Sequence, residues 1–315
     1  MDRRTFLAGL TLAAGSGCVS QQNQLTVGSK NFTEQLILGE LLKQSLSGAC
    51  RMPVQGRFYL AGTYICQQAI LAGRIDTYVE YTGTALAAIL KEQCSGNPAA
   101  VYQRVKDEYQ RRFDLDVMPP LGFNNSFAMV VRGDEARRLG VTTLSQLAPF
   151  APKMQLGVGY EFLERQDGYK GLVKTYGLRF AETPRVMDLG LLYRALQNKS
   201  VDIVAGNNTD GLIAALGFVV LEDDKHYFPP YDAVPIVRPA LFQKCPEAQA
   251  AFARLAGRIT ADDMRAMNYA VDGEKKDASA VARGFLVSRS LLPLQATRIK
   301  NSPRKSIWLV SGHEL

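Results

Sequence analysis

The 315 residues include a single tryptophan and two histidines, and the five cysteines form no Cys-x-x-Cys pair. His226 and His313 are too few and too far apart for a usual zinc site, so no metal is expected. There is also no Gly-x-Ser-x-Gly elbow, no Walker loop, no His-Glu-x-x-His pair and no repeat at solenoid spacing. No nucleophile and base stand at workable spacing, which excludes an enzyme and calls for no cofactor. Charge of one sign is scarce in the body of the chain. The formal net charge is +7, but much of it sits in Arg3 and Arg4 at the start and in Arg289, Arg298, Lys300, Arg304 and Lys305 at the end. Residues 19–287 are nearly neutral, so the high isoelectric point is no argument for nucleic acid.

The start of the chain has a recognisable pattern. Asp2-Arg3-Arg4-Thr5-Phe6-Leu7 leads into a short apolar stretch ending at Ala14, then Gly15-Ser16-Gly17-Cys18. A charged segment, a short apolar segment and small residues before a cysteine predict an export signal over 1–18. The paired arginines resemble a twin-arginine signal, and Cys18 is the candidate lipidation site, although Gly15 departs from the usual leucine three residues before it. The apolar run is far shorter than the ~20 residues a membrane-spanning helix needs, so membrane contact is expected only through a lipid anchor. Export implies a periplasmic or cell-surface location. There the remaining cysteines, Cys50, Cys66, Cys94 and Cys245, allow three pairings. Cys50 and Cys94 each follow an amphipathic segment beside turn residues and form the candidate disulfide, while Cys66 reads as a small buried apolar residue.

Between these ends the pattern alternates strand and helix. Leu25–Gly28, Arg57–Ala61 and Ile75–Tyr81 read as strands, each followed by a helical stripe; Asn31 with Glu34 and Thr63 read as helix caps. Further strands are expected near 127–132, 154–159, 185–188, 201–205, 218–222 and 234–238, with helices over 246–258, 261–269 and 278–286. Tyr227-Phe228-Pro229-Pro230-Tyr231-Asp232 is a poor helix and a good stiff crossing. With a second crossing near 122–127, one α/β unit is inserted in another. Residues 24–123 and 233–287 would form one lobe, 124–232 the other, and 288–315 a basic tail. The fold class is α/β, two lobes joined by two crossover strands around a ligand cleft.

The strand-to-helix junctions put Ser29, Lys30, Thr63, Tyr81 and Thr84 at one sheet edge, where helix starts offer unpaired N–H groups. Tyr81 and Tyr231, with Phe127, could bring aromatic faces from two lobes together. A quaternary ammonium has no N–H to donate, yet each face attracts it by roughly 0.5–2 kcal/mol once water is excluded. The adjoining threonines and helix starts would take a carboxylate. Lys30 is open between pairing with a ligand carboxylate and a solvated role, Asp210 between capping and ligand contact, and Arg165 with Asp167 between lining the second lobe and a surface pair.

Six motifs in order, Gly28-Ser29-Lys30-Asn31-Phe32-Thr33-Glu34-Gln35, Glu80-Tyr81-Thr82-Gly83-Thr84, Gly122-Phe123-Asn124-Asn125-Ser126-Phe127, Gln166-Asp167-Gly168-Tyr169, Thr209-Asp210-Gly211 and Phe228-Pro229-Pro230-Tyr231, resemble one family. The chain is similar, from about Leu25 to Leu286, to substrate-binding proteins of quaternary-amine (osmoprotectant) ABC importers. The likeness is strongest to the low-affinity, stress-inducible betaine-binding branch. The resemblance implies a type II periplasmic-binding fold, a monomer that delivers glycine betaine, choline, carnitine or a related compound to a permease. It maps the family's aromatic cage onto Tyr81, Phe127, Asn207 and Tyr231. Phe127 keeps a ring without the hydroxyl and Asn207 removes a face, which weakens cation binding by about 1–2 kcal/mol or makes room for a larger betaine such as ergothioneine. Asn207 as a plain turn residue remains the alternative. The other functions in play are a binder of a polar, amino-acid-like solute and a ligand-sensing lipoprotein acting through its tail.

Overall fold

The computed structural model describes residues 24–92 and 97–292. The export segment with Cys18, residue Cys94 and the tail beyond Leu292 lie outside the described residues. Ten strands are present among the described residues: β1 (Leu25–Gly28), β2 (Val54–Arg57), β3 (Thr77–Tyr81), β4 (Asp116–Val117), β5 (Phe127–Arg132), β6 (Leu156–Val158), β7 (Arg185–Val186), β8 (Ile203–Asn207), β9 (Phe218–Leu221) and β10 (Ala233–Val237). They form two five-stranded sheets, ordered β2-β1-β3-β10-β4 and β7-β6-β8-β5-β9. Each sheet is parallel at one end and antiparallel at the other. β1 runs parallel to β2 and β3, whereas β10 is antiparallel to β3 and β4. In the second sheet β6 runs parallel to β7 and β8, and β5 is antiparallel to β8 and β9.

Strand side chains alternate between faces, and the central strands of both sheets are buried on both, so these strands read as nearly continuous apolar runs. From β3 and β10, Val79, Ala233 and Val237 pack with Ile37, Leu41 and Phe252 on one face. Tyr78, Val234 and Ile236 pack with Ile70, Val105 and Tyr109 on the other. The second sheet does the same, with Met129, Val131 and Ile203 on one face and Ala128, Val130 and Val204 on the other. No helix among the described residues is long and apolar enough to cross a membrane.

Two crossings connect the lobes, and they pair with each other. Asn124 bridges Asp232 in antiparallel fashion, and the Asn125 N–H donates to the Tyr231 carbonyl at 3.0 Å. Two glycines make this possible. Gly122 has φ +119°, and a Cβ there would fall 2.8 Å from the Ile259 carbonyl oxygen; a Cβ on Gly83 would meet the Pro230 carbonyl at 2.6 Å. Both sites therefore exclude side chains for reasons of conformation or close approach.

Three local expectations change. The strand expected over Arg57–Ala61 is instead Val54–Arg57, because Tyr59 and Ala61 take positive φ and cannot continue an extended ladder. Gly62 and Phe32, not Thr63 and Asn31, precede their helices, which turns the Thr63 and Glu34 side chains inward. The candidate disulfide Cys50–Cys94 is incorrect: Cys50 is bonded to Cys245, 195 residues away. The bond joins the end of helix Thr33–Ala49 to the end of helix Pro239–Lys244, a neighbourhood created by β10 returning to the first sheet.

Candidate functional site

A cavity of about 810 Å³ lies between the lobes, and Lys30, Thr63, Tyr81, Thr84, Phe127, Asn207 and Tyr231 all line it. Ser29 does not. It is fully buried, donating to the Lys30 carbonyl and accepting from the Tyr59 N–H at 3.0 Å, so it holds the loop after β2. The others arrive at the cavity because each ends or follows a strand: Lys30 after β1, Tyr81 at the end of β3, Asn207 at the end of β8, and Phe127 and Tyr231 beside the crossings.

The rings are mutually oriented. Phe127 and Tyr231 meet edge to face, 5.7 Å apart at 78°, the arrangement favoured by aromatic quadrupoles. Each ring also has a protein cation nearby. Lys30 Nζ stands 4.7 Å from the Tyr81 centroid, and the Arg165 guanidinium 4.8 Å from Phe127 and 5.7 Å from Tyr231. Neither charge is left bare. Lys30 pairs with Glu80 and donates to Thr63 Oγ1 at 3.2 Å. Arg165 forks onto both oxygens of Asp167, and Tyr231 donates its hydroxyl to Asp167 Oδ2 at 2.6 Å. Burial works against the Arg165 charge, but Asp167 outweighs it and holds the guanidinium firmly protonated.

Arg165 also donates to Thr84 Oγ1 at 3.0 Å, a bond from the second lobe to the first. Arg165 lines the cavity and pairs with a buried Asp167 rather than forming a surface pair, and Lys30 is buried on the protein's own Glu80 rather than solvated. Asp210 neither caps the following helix nor lines the cavity: it accepts from the Asn207 N–H at 2.9 Å and from the Tyr193 hydroxyl at 2.5 Å. It therefore fixes the backbone of Asn207.

Glu34 was read as a capping residue, and its role here is different. It is buried, and its carboxylate accepts from the Tyr81 hydroxyl (2.6 Å), Asn125 Nδ2 (2.7 Å), the Thr209 hydroxyl (2.5 Å) and Asn268 Nδ2 (3.1 Å). Four donors match the lone-pair capacity of an ionised carboxylate. Burial lifts Glu34 above the ordinary carboxylate value, while the four donors pull the other way. The same burial, with the Glu34 charge beside it, keeps the Tyr81 phenol well above its usual range. The Tyr81 ring is thus fixed from behind while its face lines the cavity. Sequence spacing carries no signal for this role, because the partners of Glu34 come from residues 81, 125, 209 and 268.

Residues 23–288 match the family model described as the substrate binding domain of an ABC-type glycine betaine transport system. A carnitine transport binding protein, OpuCC, from Listeria monocytogenes is 32% identical over 283 residues, covering 89% of this chain and 91% of its own. A glycine-betaine-binding protein from Pseudomonas aeruginosa is 34% identical over 303 residues, covering 90% and 93%. Among solved structures, that of a glycine betaine/carnitine/choline ABC transporter protein superposes with TM-score 0.70 at 30% identity, covering 85% of this chain and all of the other.

Proposed function

The chain belongs to the family of substrate-binding domains of ABC-type glycine betaine transport systems, and we propose from that premise that it captures a quaternary-ammonium osmoprotectant outside the cytoplasm and hands it to a permease. The role is transport rather than catalysis. The observation that carries the reading is the pairing of three aromatic faces with two anchored cations at one cavity. A trimethylammonium group takes the space against Tyr81, Phe127 and Tyr231. A carboxylate takes the remaining donors of Lys30 and Arg165 with the Thr84 hydroxyl, a charge-assisted arrangement stronger than neutral hydrogen bonding. Glycine betaine and other zwitterions satisfy both ends; choline satisfies one and binds more weakly.

Arg165 and Thr84 lie on opposite lobes, so a carboxylate bound by both favours the closed state over the open one, and the permease reads closure. In the cell the chain is exported by its twin-arginine-like signal and held at the membrane through Cys18. Calorimetric titration of the body with glycine betaine, carnitine and choline tests the reading, with Tyr81→Ala as control. Binding to glycine betaine that the substitution abolishes supports it. No heat with any of the three, or no compaction by small-angle scattering at saturating glycine betaine, removes it.

A further inference from the structure

The cavity is larger than its aromatic end requires. Its volume of about 810 Å³ lies high in the range of roughly 300–1,000 Å³ typical of pockets for drug-sized ligands, whereas a betaine of a few carbons fills a small part of it. Incomplete closure does not account for the excess. The Arg165–Thr84 and Thr209–Glu34 bonds between the lobes are already made. At the mouth the Glu161 carboxylate of the second lobe reaches so near Gly62 of the first that a Cβ there would lie 2.1 Å from it.

The extra space also differs in chemistry. Tyr81, Thr84, Tyr231, Lys30 and Arg165 form a deep end that is buried and polar-backed. The outer part is lined by Ile65 from the first lobe and by Tyr160, Val186, Met187 and Leu189 from the second. Ile65, Tyr160 and Val186 are 52%, 65% and 50% exposed. Three large apolar side chains open to water at one cavity mouth, on both sides of it, are apolar surface held ready for burial. Asn207 lines the same cavity without adding a ring.

We infer that the outer chamber is a second subsite, which takes an apolar substituent carried by the quaternary-ammonium zwitterion whose head sits at the aromatic end. The ligand class is an amphiphilic betaine, with a charged head and an acyl or aromatic extension, rather than the smallest betaines. This inference rests on the head-group reading above, and the two fail in different ways.

The test is a calorimetric series of glycine betaine, carnitine and the acetyl, butyryl and octanoyl esters of carnitine, on the wild-type chain and on Val186→Asp and Ile65→Ser. Both substitutions lie at exposed positions and leave the fold intact. Affinity is expected to rise by about fourfold per added methylene until the chamber fills, and the variants should flatten that rise while leaving glycine betaine affinity unchanged. Affinity that is level or falls along the ester series overturns the second subsite and leaves the head-group reading in place. A rise that the variants do not alter also overturns it, since the tail would then bind elsewhere. Silence towards every member, glycine betaine included, overturns both.

Discussion

The two sides of the cleft are built on different terms. On the first lobe Tyr81, Lys30 and Thr84 are buried, and each is tied down from behind or across by Glu34, by Glu80 with Thr63, and by Arg165. On the second lobe Arg165 and Tyr231, both held by Asp167, are comparably fixed; Phe127 and Asn207 are half-buried, and Tyr160 and Val186 are open to water. The first lobe is a preorganised receptor that has met its ordering cost before the ligand arrives. The second is a cover whose contacts can be exchanged with little harm to the fold. The head group is therefore met by anchors that are mostly fixed in advance on the first lobe, while the open positions Tyr160 and Val186 of the second lobe are free to select what the head carries.

That contrast can be broken at its strongest point by removing the staple. The Cys50–Cys245 bond joins two first-lobe helix ends and closes a loop of 195 residues that contains the whole second lobe, and its loss through Cys50→Ser with Cys245→Ser should cost about 2–5 kcal/mol. Thermal melts should show the loss, while calorimetry on the folded variant shows little change in affinity. Next in size is Glu34→Ala, which leaves buried donors of Tyr81, Asn125, Thr209 and Asn268 without an acceptor. Unpaired buried donors cost about 1–3 kcal/mol each before relaxation, so a loss of about 3 kcal/mol in denaturant unfolding is expected. Glycine betaine affinity should fall with it; an unchanged affinity would show that Tyr81 needs no support.

The second lobe is sharpened by addition. Asn207→Tyr supplies the absent face and should tighten glycine betaine binding about five- to thirtyfold, roughly 1–2 kcal/mol, while weakening any longer betaine. The smallest effect is one of pH. Burial lifts Asp210 from the ordinary carboxylate value of 3.8 to about 7, with the bonds from Tyr193 and Asn207 opposing. Between those values the folded chain holds a proton that the unfolded chain has released. Its contribution is fully present below about pH 4 and is lost as pH rises through 7, with a slope below about 1.4 kcal/mol per pH unit. Melting temperatures from pH 4.5 to 8 should decline less steeply in Asp210→Asn; a decline of equal slope would place the titrating group elsewhere.

Much of this was legible in the chain. The strand-helix alternation and the paired prolines locate both sheets and both crossings, because period and turn chemistry are local signals. The positions of Tyr81, Phe127 and Tyr231 at the cavity follow from the same alternation. What could not be read is whatever depends on contacts far apart in sequence. Cys50 meets Cys245 only because β10 returns to the first sheet after the whole second lobe, and helix ends near Cys94 offered a nearer partner by count alone. Glu34 stands three residues after Asn31 and so imitates a capping box, yet its four donors are spread from residue 81 to residue 268. Arg165 and Asp167 resemble a surface pair until Tyr231 and Thr84 close over them.

The paired crossings carry a mechanical consequence. Phe127 begins β5 a few residues after Asn124, and Tyr231 directly precedes Asp232, so the two segments that join the lobes also bear two of the rings that line the cavity. In the closure proposed above, grip and lobe angle are then one coordinate, with no wire from a sensing site to a distant lever. A substitution that retunes either will retune the other, and selection on how tightly this chain holds its cargo is at the same time selection on how readily it lets go.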